Sequence, residues 1–154
     1  VVTRYWDDFA DPALTDADKE RMAAAEFLPW FEEDRARGFG AWILRTPDGD
    51  FVGFSGLTTA DEPVGGPDPE FSCLLTSRWH GSGLATEAGR AVIEDGWVRL
   101  GLTRVITVLD SPNPGSRRLV DKLGFRFDRA VFDEASQAYL VFVLDRPESI
   151  QMAG

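Results

Sequence analysis

A short glycine-containing segment between two apolar runs is the feature that most constrains this chain. Gly81 and Gly83 follow a predicted strand at Glu70–Leu75 and open a predicted helix at Gly83–Leu100. Glycine adopts backbone angles that other residues avoid and lets a ligand approach the backbone closely. The helix start offers unpaired N–H groups at the positive end of the helix dipole. The segment therefore predicts a site for an anion such as a pyrophosphate.

Several known phosphate motifs share this arrangement, and the flanking residues separate them. Taken alone, Gly-x-Gly at a helix start also fits a turn that binds nothing. A P-loop is excluded because no Gly-Lys-Ser/Thr follows. A dinucleotide fingerprint is disfavoured because Thr86 stands where the third glycine belongs, and too few βα units follow for a doubly wound sheet. A nucleotide-binding domain of another class stays open as an alternative.

A second punctuated segment lies downstream of the glycine loop. Asn113 is a suitable N-cap, Pro114 suits the first helical position, and Gly124 fits the glycine that ends the same helix. The run Val105–Leu109 before it is mainly apolar, which predicts a strand buried on both faces. The two glycine segments are therefore separated by one helix and one buried strand.

The rest of the pattern places further elements before and after these two segments. An N-terminal helix begins at Thr15, is kinked or split at Pro29 and ends at Gly38 and Gly40. A turn at 47–50 and a loop at 59–69 separate strands. The predicted strands are Ala41–Arg45, Phe51–Leu57, Glu70–Leu75, Val105–Leu109, Phe125–Phe132 and Gln137–Leu144. This order predicts an α/β or α+β domain with a mixed sheet.

Length and composition set the class of protein. A chain of 154 residues favours one domain over 1–154, and 44% hydrophobic residues is a globular value. No apolar stretch reaches membrane-spanning length, and the N-terminus lacks a signal-peptide pattern, so we expect a cytoplasmic protein without a membrane partner. One cysteine and one histidine make a poor zinc site, and no metal is expected.

The charge is unevenly distributed along the chain. The net charge is −10, which disfavours nucleic acid as a direct partner. The segment 78–126 nevertheless holds eight Arg or Lys and five Asp or Glu, a local charge of +3, so the remainder carries −13. Since the positive segment is also the glycine-rich one, a small phosphate-bearing ligand fits this split better than a polymer.

Both glycine segments resemble motifs of the GNAT superfamily of N-acetyltransferases. Arg78-x-x-Gly81-x-Gly83 resembles the family's Arg/Gln-x-x-Gly-x-Gly/Ala motif. Its continuation, Leu84-Ala85-Thr86-Glu87-Ala88, resembles the RimJ/RimL branch, which acetylates amino groups. Asn113-Pro114-Gly115-Ser116, leading to Leu123-Gly124-Phe125, resembles the family's Asn-x-x-Ser segment and its Leu-Gly-Phe ending.

The resemblance implies a fold and an activity. The fold would be a mixed, mostly antiparallel sheet flanked by helices and splayed at the CoA-binding strand. The family's N-terminal strand and helix have no apparent counterpart before Val1. The activity would be direct transfer of an acetyl group from acetyl-CoA to a primary amine. A catalytically inactive CoA-binding or regulatory module is the alternative.

The resemblance also implies which residues form the site. Glu70 would be the general base, acting through water, and Ser116 would donate a proton or hydrogen bond to the departing thiolate. Edge-strand, first-turn and N-cap roles are the plainer alternatives for Glu70, Ser116 and Asn113. The residues that would contact the cofactor are Cys73, Leu74, Leu75, Arg78, Trp79, His80, Gly81, Ser82, Gly83, Leu84, Ala85, Asn113 and Ser116.

Two reactive side chains near the motif are assigned no catalytic role. His80 is expected to pack against CoA or to point to solvent rather than to act as a base. Cys73 is expected to be a buried structural residue, because no histidine lies at a triad-like position and the family uses direct transfer.

The acceptor is the least defined part of the prediction. The aromatic residues that either line its pocket or belong to the core are Trp30, Phe31, Trp42, Phe54 and Phe71. Asp61 and Glu62 either attract a cationic amine or form a solvated loop. The acceptor itself is a peptide or a small-molecule amine, and the sheet edges could pair two copies as a homodimer.

Overall fold

The computed structural model describes residues 11, 13–22, 24–25, 29, 32, 34–60, 63–110 and 113–148. The described α-helices are α1 (Asp16–Met22), α2 (Leu84–Val98) and α3 (Pro114–Leu123). The described strands are β1 (Gly40–Arg45), β2 (Phe51–Thr59), β3 (Pro69–Leu75), β4 (Arg104–Asp110), β5 (Arg126–Phe132) and β6 (Ala138–Asp145). Short 3-10 turns lie at Arg35–Arg37 and Ser77–Trp79.

The six strands form one mixed sheet in the order β1-β2-β3-β4-β6-β5. Neighbouring strands pair antiparallel except β3 and β4, which run parallel. The parallel pair requires a crossover connection, and α2 supplies it. The predicted mixed, mostly antiparallel sheet flanked by helices is therefore confirmed.

The helix boundaries follow the sequence signals where the structure describes them. The start of α1 is confirmed: the Thr15 hydroxyl accepts a hydrogen bond from the Asp18 N–H, and Asp18 accepts one from the Thr15 N–H. Within the described residues α1 ends at Met22, and a separate 3-10 turn ends at Gly38 with φ 81°. The residues on either side of Pro29, where the long helix was predicted to kink or split, lie outside the described part.

The strand boundaries differ from prediction by one or two residues. Gly40, predicted as a helix stop, is instead the first residue of β1 and pairs with Leu57. β2 extends to Thr59 because Thr58 and Thr59 continue the ladder with Glu70 and Pro69. Residues before 11, on which the expected absence of the family's N-terminal strand and helix rests, lie outside the described part.

The main core lies between the sheet and the two long helices. Val92, Ile93 and Trp97 of α2 recur at helical spacing and are at most 5% exposed. They pack with Val120 of α3 and with sheet residues that include Phe71. This side of the sheet is called the helix face here.

A smaller cluster covers the opposite face of the sheet. Its members are Ala60, Ile106, Val141 and Val143, all buried. Because successive strand residues point to opposite sides, Ile106 lies on this face while its neighbour Val105 belongs to the main core. The part of β4 from Val105 to Thr107 is therefore buried on both faces, as predicted from its mainly apolar run.

The two parallel strands separate soon after they meet. Glu70 and Ile106 are the one registered pair between β3 and β4, although both strands are described along their whole length. The Thr107 hydroxyl adds one further link by donating to the Phe71 carbonyl at 3.0 Å. Beyond it, Ser72–Leu75 pair with β2 but not with β4. The predicted splay at β3 is thus present.

Candidate active site

The segment between β3 and α2 is a tight turn followed by an open one. Ser77–Trp79 form a 3-10 turn in which the Trp79 N–H donates to the Thr76 carbonyl. Gly81 and Gly83 then adopt left-handed backbone angles, with φ of 76° and 89°. Only glycine adopts such angles without strain, which explains the Gly-x-Gly spacing.

The start of α2 is left open by this turn. Gly83 is the N-cap residue and has no side chain to cap the helix. A Cβ atom built at Gly81 or Gly83 would meet nothing within 4 Å, so the turn borders open space. Within the described part of the chain, neither glycine N–H donates to a protein acceptor. The turn can therefore accommodate an anion against its backbone.

Two aromatic side chains fix the turn to the sheet. The indole Nε1 of Trp79 donates to the Phe51 carbonyl at 3.0 Å. The Nε2 atom of His80 lies 3.0 Å from the Leu75 carbonyl, which accepts a hydrogen bond from it in the matching tautomer. In that tautomer Nδ1 carries the free lone pair. The contact orients the ring, and the absence of a base role for His80 stays a prediction.

Other side chains of the motif act within the turn. The Ser82 hydroxyl donates to the Trp79 carbonyl at 2.6 Å and lies 3.4 Å from the Leu84 N–H. The Arg78 guanidinium reaches away from the glycines. It forms a hydrogen-bonded ion pair with Asp50 at 3.0 Å and lies 3.5 Å from Asp16.

The side chains at the end of β3 pack inside the protein and are not directed at a ligand. Cys73 packs against the main core, Leu74 against the cluster of Phe51 and Phe54, and Leu75 is 8% exposed. Burial raises the pKa of the Cys73 thiol to about 11, although a hydrogen bond with Ser55 partly offsets this. A thiol with that pKa stays protonated near neutral pH and is a poor nucleophile. What this strand offers a ligand is its unpaired backbone edge.

Glu70 lies where β3 and β4 part. Because Phe71 belongs to the main core, the half-buried Glu70 side chain points to the opposite face. Thr58 of β2 is the cross-strand partner of Glu70. The Thr58 hydroxyl donates a hydrogen bond to Asp34 at 2.7 Å. Burial by itself raises the pKa of Asp34, but hydrogen bonds from Thr59 and Thr58 outweigh it and hold that pKa below its ordinary value.

The start of α3 is closed by its own side chain. The Oδ1 atom of Asn113 accepts hydrogen bonds from the N–H groups of Gly115 and Ser116, each at 3.1 Å. The predicted N-cap is therefore confirmed. Ser116 is half-buried in the first turn, on the helix-face side of the sheet.

The predicted site residues thus fall into separate groups. Arg78–Ala85 form the turn and the start of α2, and Asn113 and Ser116 form the start of α3. Glu70 points to the other face of the sheet, beside the gap between β3 and β4. Glu70 and Ser116 therefore lie on opposite faces of the sheet.

The residues predicted to line the acceptor pocket differ in how exposed they are. Phe54 and Phe71 are each 3% exposed and belong to the packed clusters, whereas Trp42 on edge strand β1 is 43% exposed. The remaining candidates, Trp30, Phe31, Asp61 and Glu62, lie outside the described residues.

Two contacts at the site were not predicted from the sequence. Thr107, which links β4 to Phe71 at the point of splay, is a polar residue inside an apolar strand. A polar residue within an apolar strand was a sequence signal from which this contact could have been predicted. The contact between the Asp34 carboxylate and Thr58 joins residues that are distant in the chain, so no local sequence pattern predicts it.

The described residues contain neither a membrane span nor a metal cluster. None of the described helices is long and apolar enough to cross a bilayer. Among the described residues no group of three or more His, Cys, Asp or Glu side chains could hold a metal ion.

Comparison with known proteins decides the family. The family model described as an acetyltransferase (GNAT) domain matches residues 2–126. The chain belongs to the GNAT acetyltransferase family. Its open turn, uncapped helix start and splayed strands fit an acyl-CoA co-substrate, and it is an acyl-CoA-dependent N-acetyltransferase.

Solved structures of other proteins share this fold. A GNAT-family protein from Bordetella pertussis is 25% identical, with a TM-score of 0.68 over 90% of this chain and 85% of the other. A Salmonella typhimurium protein solved with its cofactor acetyl-CoA is 18% identical, with a TM-score of 0.66 over 94% and 85%. A ribosomal-protein-S5-alanine acetyltransferase from Vibrio fischeri is 14% identical, with a TM-score of 0.67 over 94% and 86%.

Proposed function

We propose that this chain, as a single domain, transfers the acetyl group of acetyl-CoA directly to a primary amine of a peptide N-terminus or a small molecule, in the manner of the RimJ/RimL branch. The observation that carries the proposal is the open start of α2 beside the gap between β3 and β4. The motif run Leu84–Ala88 supports the branch, and the fold shared with an S5-alanine acetyltransferase is consistent with it.

The cofactor would lie along the helix-face side of the gap. Backbone N–H groups of Gly81–Ala85, together with the dipole of α2, would hold its pyrophosphate. The unpaired edge of Cys73–Leu75 would hydrogen-bond the pantetheine arm, as a further strand would. Asn113 can add an amide donor, since its capping bonds use only Oδ1. These groups fix the thioester at the point where the strands part.

Acetyl transfer requires a neutral amine and a stabilised leaving group. Glu70 lies beside the gap on the face opposite the helices; an amine that approached from that face would lose its proton to Glu70 through water. Ser116 lies on the other face of the sheet and would donate a hydrogen bond to the departing thiolate. CoA supplies the activated acyl group, so the protein's part is to position the reactants, remove the amine proton and stabilise the thiolate.

The proposal is tested in two steps with the wild-type protein. Calorimetry with acetyl-CoA should show binding, and thiol release should then depend on an added amine. The acceptor panel is a peptide with a free α-amine, the same peptide with a blocked N-terminus and one lysine, and a polyamine. Binding without turnover of any acceptor would favour the inactive CoA-binding module. Absence of binding at millimolar acetyl-CoA would overturn the proposal.

A further inference from the structure

The side chain of Arg78 opens the family's glycine motif, yet it is engaged away from the glycines. Its Nη2 atom donates to Asp50 Oδ2 at 3.0 Å, and Nη1 lies 3.5 Å from Asp16 Oδ2. The guanidinium carbon also lies 4.7 Å from the centroid of the Trp79 ring. Three neighbours thus hold this side chain in one place.

These neighbours belong to three different parts of the fold. Asp50 ends the turn before β2, Asp16 begins α1, and Trp79 is the residue whose indole bonds the Phe51 carbonyl. Arg78 therefore connects the turn that precedes α2 with the β1–β2 hairpin and with the N-terminal helix. A second ion pair, between Glu20 of α1 and Arg45 of β1, attaches the same helix to the hairpin.

Charge argues against a direct role for this guanidinium at the pyrophosphate. One arginine between two carboxylates leaves a local charge of −1, which would repel a phosphate rather than attract it. The backbone donors of Gly81 and Gly83, by contrast, meet no protein acceptor within the described residues. The backbone N–H groups are therefore better placed to bind the anion, because the Arg78 side chain is already paired with Asp50 and Asp16.

We propose that Arg78 is a positioning residue: with Asp50 and Asp16 it forms a clasp that holds the Gly81–Gly83 turn in its cofactor-binding shape and ties α1 to that turn. A turn with two left-handed glycines has many alternative conformations once released. The observed affinity falls in proportion to the fraction of molecules in the competent shape. The clasp rests on the proposed function, because its ligand is acetyl-CoA.

The test is a charge exchange measured by calorimetry with CoA on the full chain. R78Q should raise the Kd for CoA about fivefold and D50N about threefold, the range expected for exposed charged pairs. R78D should raise Kd by at least about tenfold, and the exchanged pair R78D with D50R should return it to within about twofold of wild type. Rescue is expected because the exchange retains one cation and two carboxylates among positions 16, 50 and 78.

The matched control breaks the other link of α1. E20Q removes the ion pair with Arg45 but leaves Arg78 and the hydrogen bond from Arg45 to the Gly49 carbonyl untouched, and it should leave the Kd for CoA within about twofold of wild type. Melting temperatures of all variants show whether any change in Kd follows loss of folded protein. A purely stabilising ion pair would lower the melting temperature without changing the Kd of the folded fraction, and that result would overturn the clasp.

Each remaining outcome also overturns the clasp. Failure of the exchange to rescue binding would mean that Arg78 itself contacts a phosphate. Tighter binding by D50N would mean that Asp50 competes with the cofactor for Arg78. If the wild-type protein binds CoA but the exchanged pair does not restore binding, the clasp alone is overturned. If the wild-type protein binds no CoA, the proposed function is overturned and the clasp with it.

Discussion

The two long helices begin in opposite ways, although both follow strands of one sheet and pack on the same face. The start of α2 has a glycine N-cap with φ 89° and no capping side chain. The start of α3 has Asn113, whose side chain accepts from two backbone N–H groups, and a proline at the first helical position. The first start keeps the Gly83 N–H without a protein acceptor within the described residues, and the second is capped by its own side chain.

The contrast shows what each helix start is for. An uncapped start costs some stability, since Gly at an N-cap forgoes roughly a few tenths of a kcal/mol relative to Ser, Thr, Asn or Asp. Such a cost is understandable where the free N–H groups serve a ligand. The capped start of α3 needs no anion, and in the proposed function it holds Ser116 in place. We therefore assign cofactor binding to the first helix start and chemistry to the second.

The largest effect is expected outside both helix starts, at Glu70. If the two starts handle the cofactor and the thiolate, the amine proton must leave through another group. E70Q should lower kcat about 10²-fold and flatten the acid limb of the pH profile, with the Kd for CoA unchanged. The measurement is steady-state thiol release from about pH 6 to about pH 9 with a good acceptor.

A carboxylate far from the gap provides the control for E70Q. Glu94 is exposed on the outer side of α2, and E94Q should retain wild-type kcat throughout this pH range. If E70Q also keeps the wild-type kcat, the base assignment is wrong and His80 or water alone takes its place.

The next effect concerns the open helix start. G83V places a branched side chain at φ 89° and in the space bordered by the turn, so it should raise the Kd for CoA at least about tenfold, or about 1.4 kcal/mol. G101V is matched, because Gly101 also has positive φ and open space but lies in the turn after α2. It should lose similar stability without losing affinity for CoA. Equal affinity losses in both variants would place the phosphate elsewhere.

The open start and the capped start could both be predicted from local sequence. Gly81 and Gly83 are required by backbone angles, and Asn113 with Pro114 is a local capping pattern, so short windows contain the whole signal. The order of the elements followed for the same reason, because periodicity and turn residues are also local. Strand ends shifted where pairing with a neighbour, as at Thr59, extended a strand beyond its own pattern.

Long-range contacts could not be predicted in the same way. The partners of Arg78 are Asp50 and Asp16, which are 28 and 62 positions away from it in the chain. The carboxylate beside Thr58 likewise comes from Asp34 in another segment. A single sequence contains no signal for such pairs, since nothing in the neighbouring residues distinguishes these charged side chains from the others in the chain.

A smaller effect is expected at the capped helix start. S116A removes the hydroxyl proposed for the departing thiolate and should lower kcat about fivefold, the value of one hydrogen bond of about 1 kcal/mol. Its pH profile should keep the shape of the wild-type profile. The sharper readout is an acetyl thioester whose thiol is more acidic than that of CoA. Such a leaving group needs less stabilisation, so the effect of S116A should shrink. An unchanged ratio would show that Ser116 supports only the helix.

The smallest effect separates the two roles of Asn113 and tests whether a capped start can also serve the cofactor. The cap uses Oδ1 alone, which leaves both amide N–H donors for the pantetheine arm. N113S retains a capping oxygen, adds no charge and removes those donors. It should keep the free energy of unfolding and raise the Kd for CoA about threefold, as expected for one neutral hydrogen bond. N113A should show the same change in Kd and lose a further ~1 kcal/mol of stability. Denaturant unfolding and calorimetry on the two variants measure both quantities. If N113S binds CoA as wild type does, the amide only caps α3. In that case only the start of α2 binds the cofactor, and the start of α3 serves the chemical step alone.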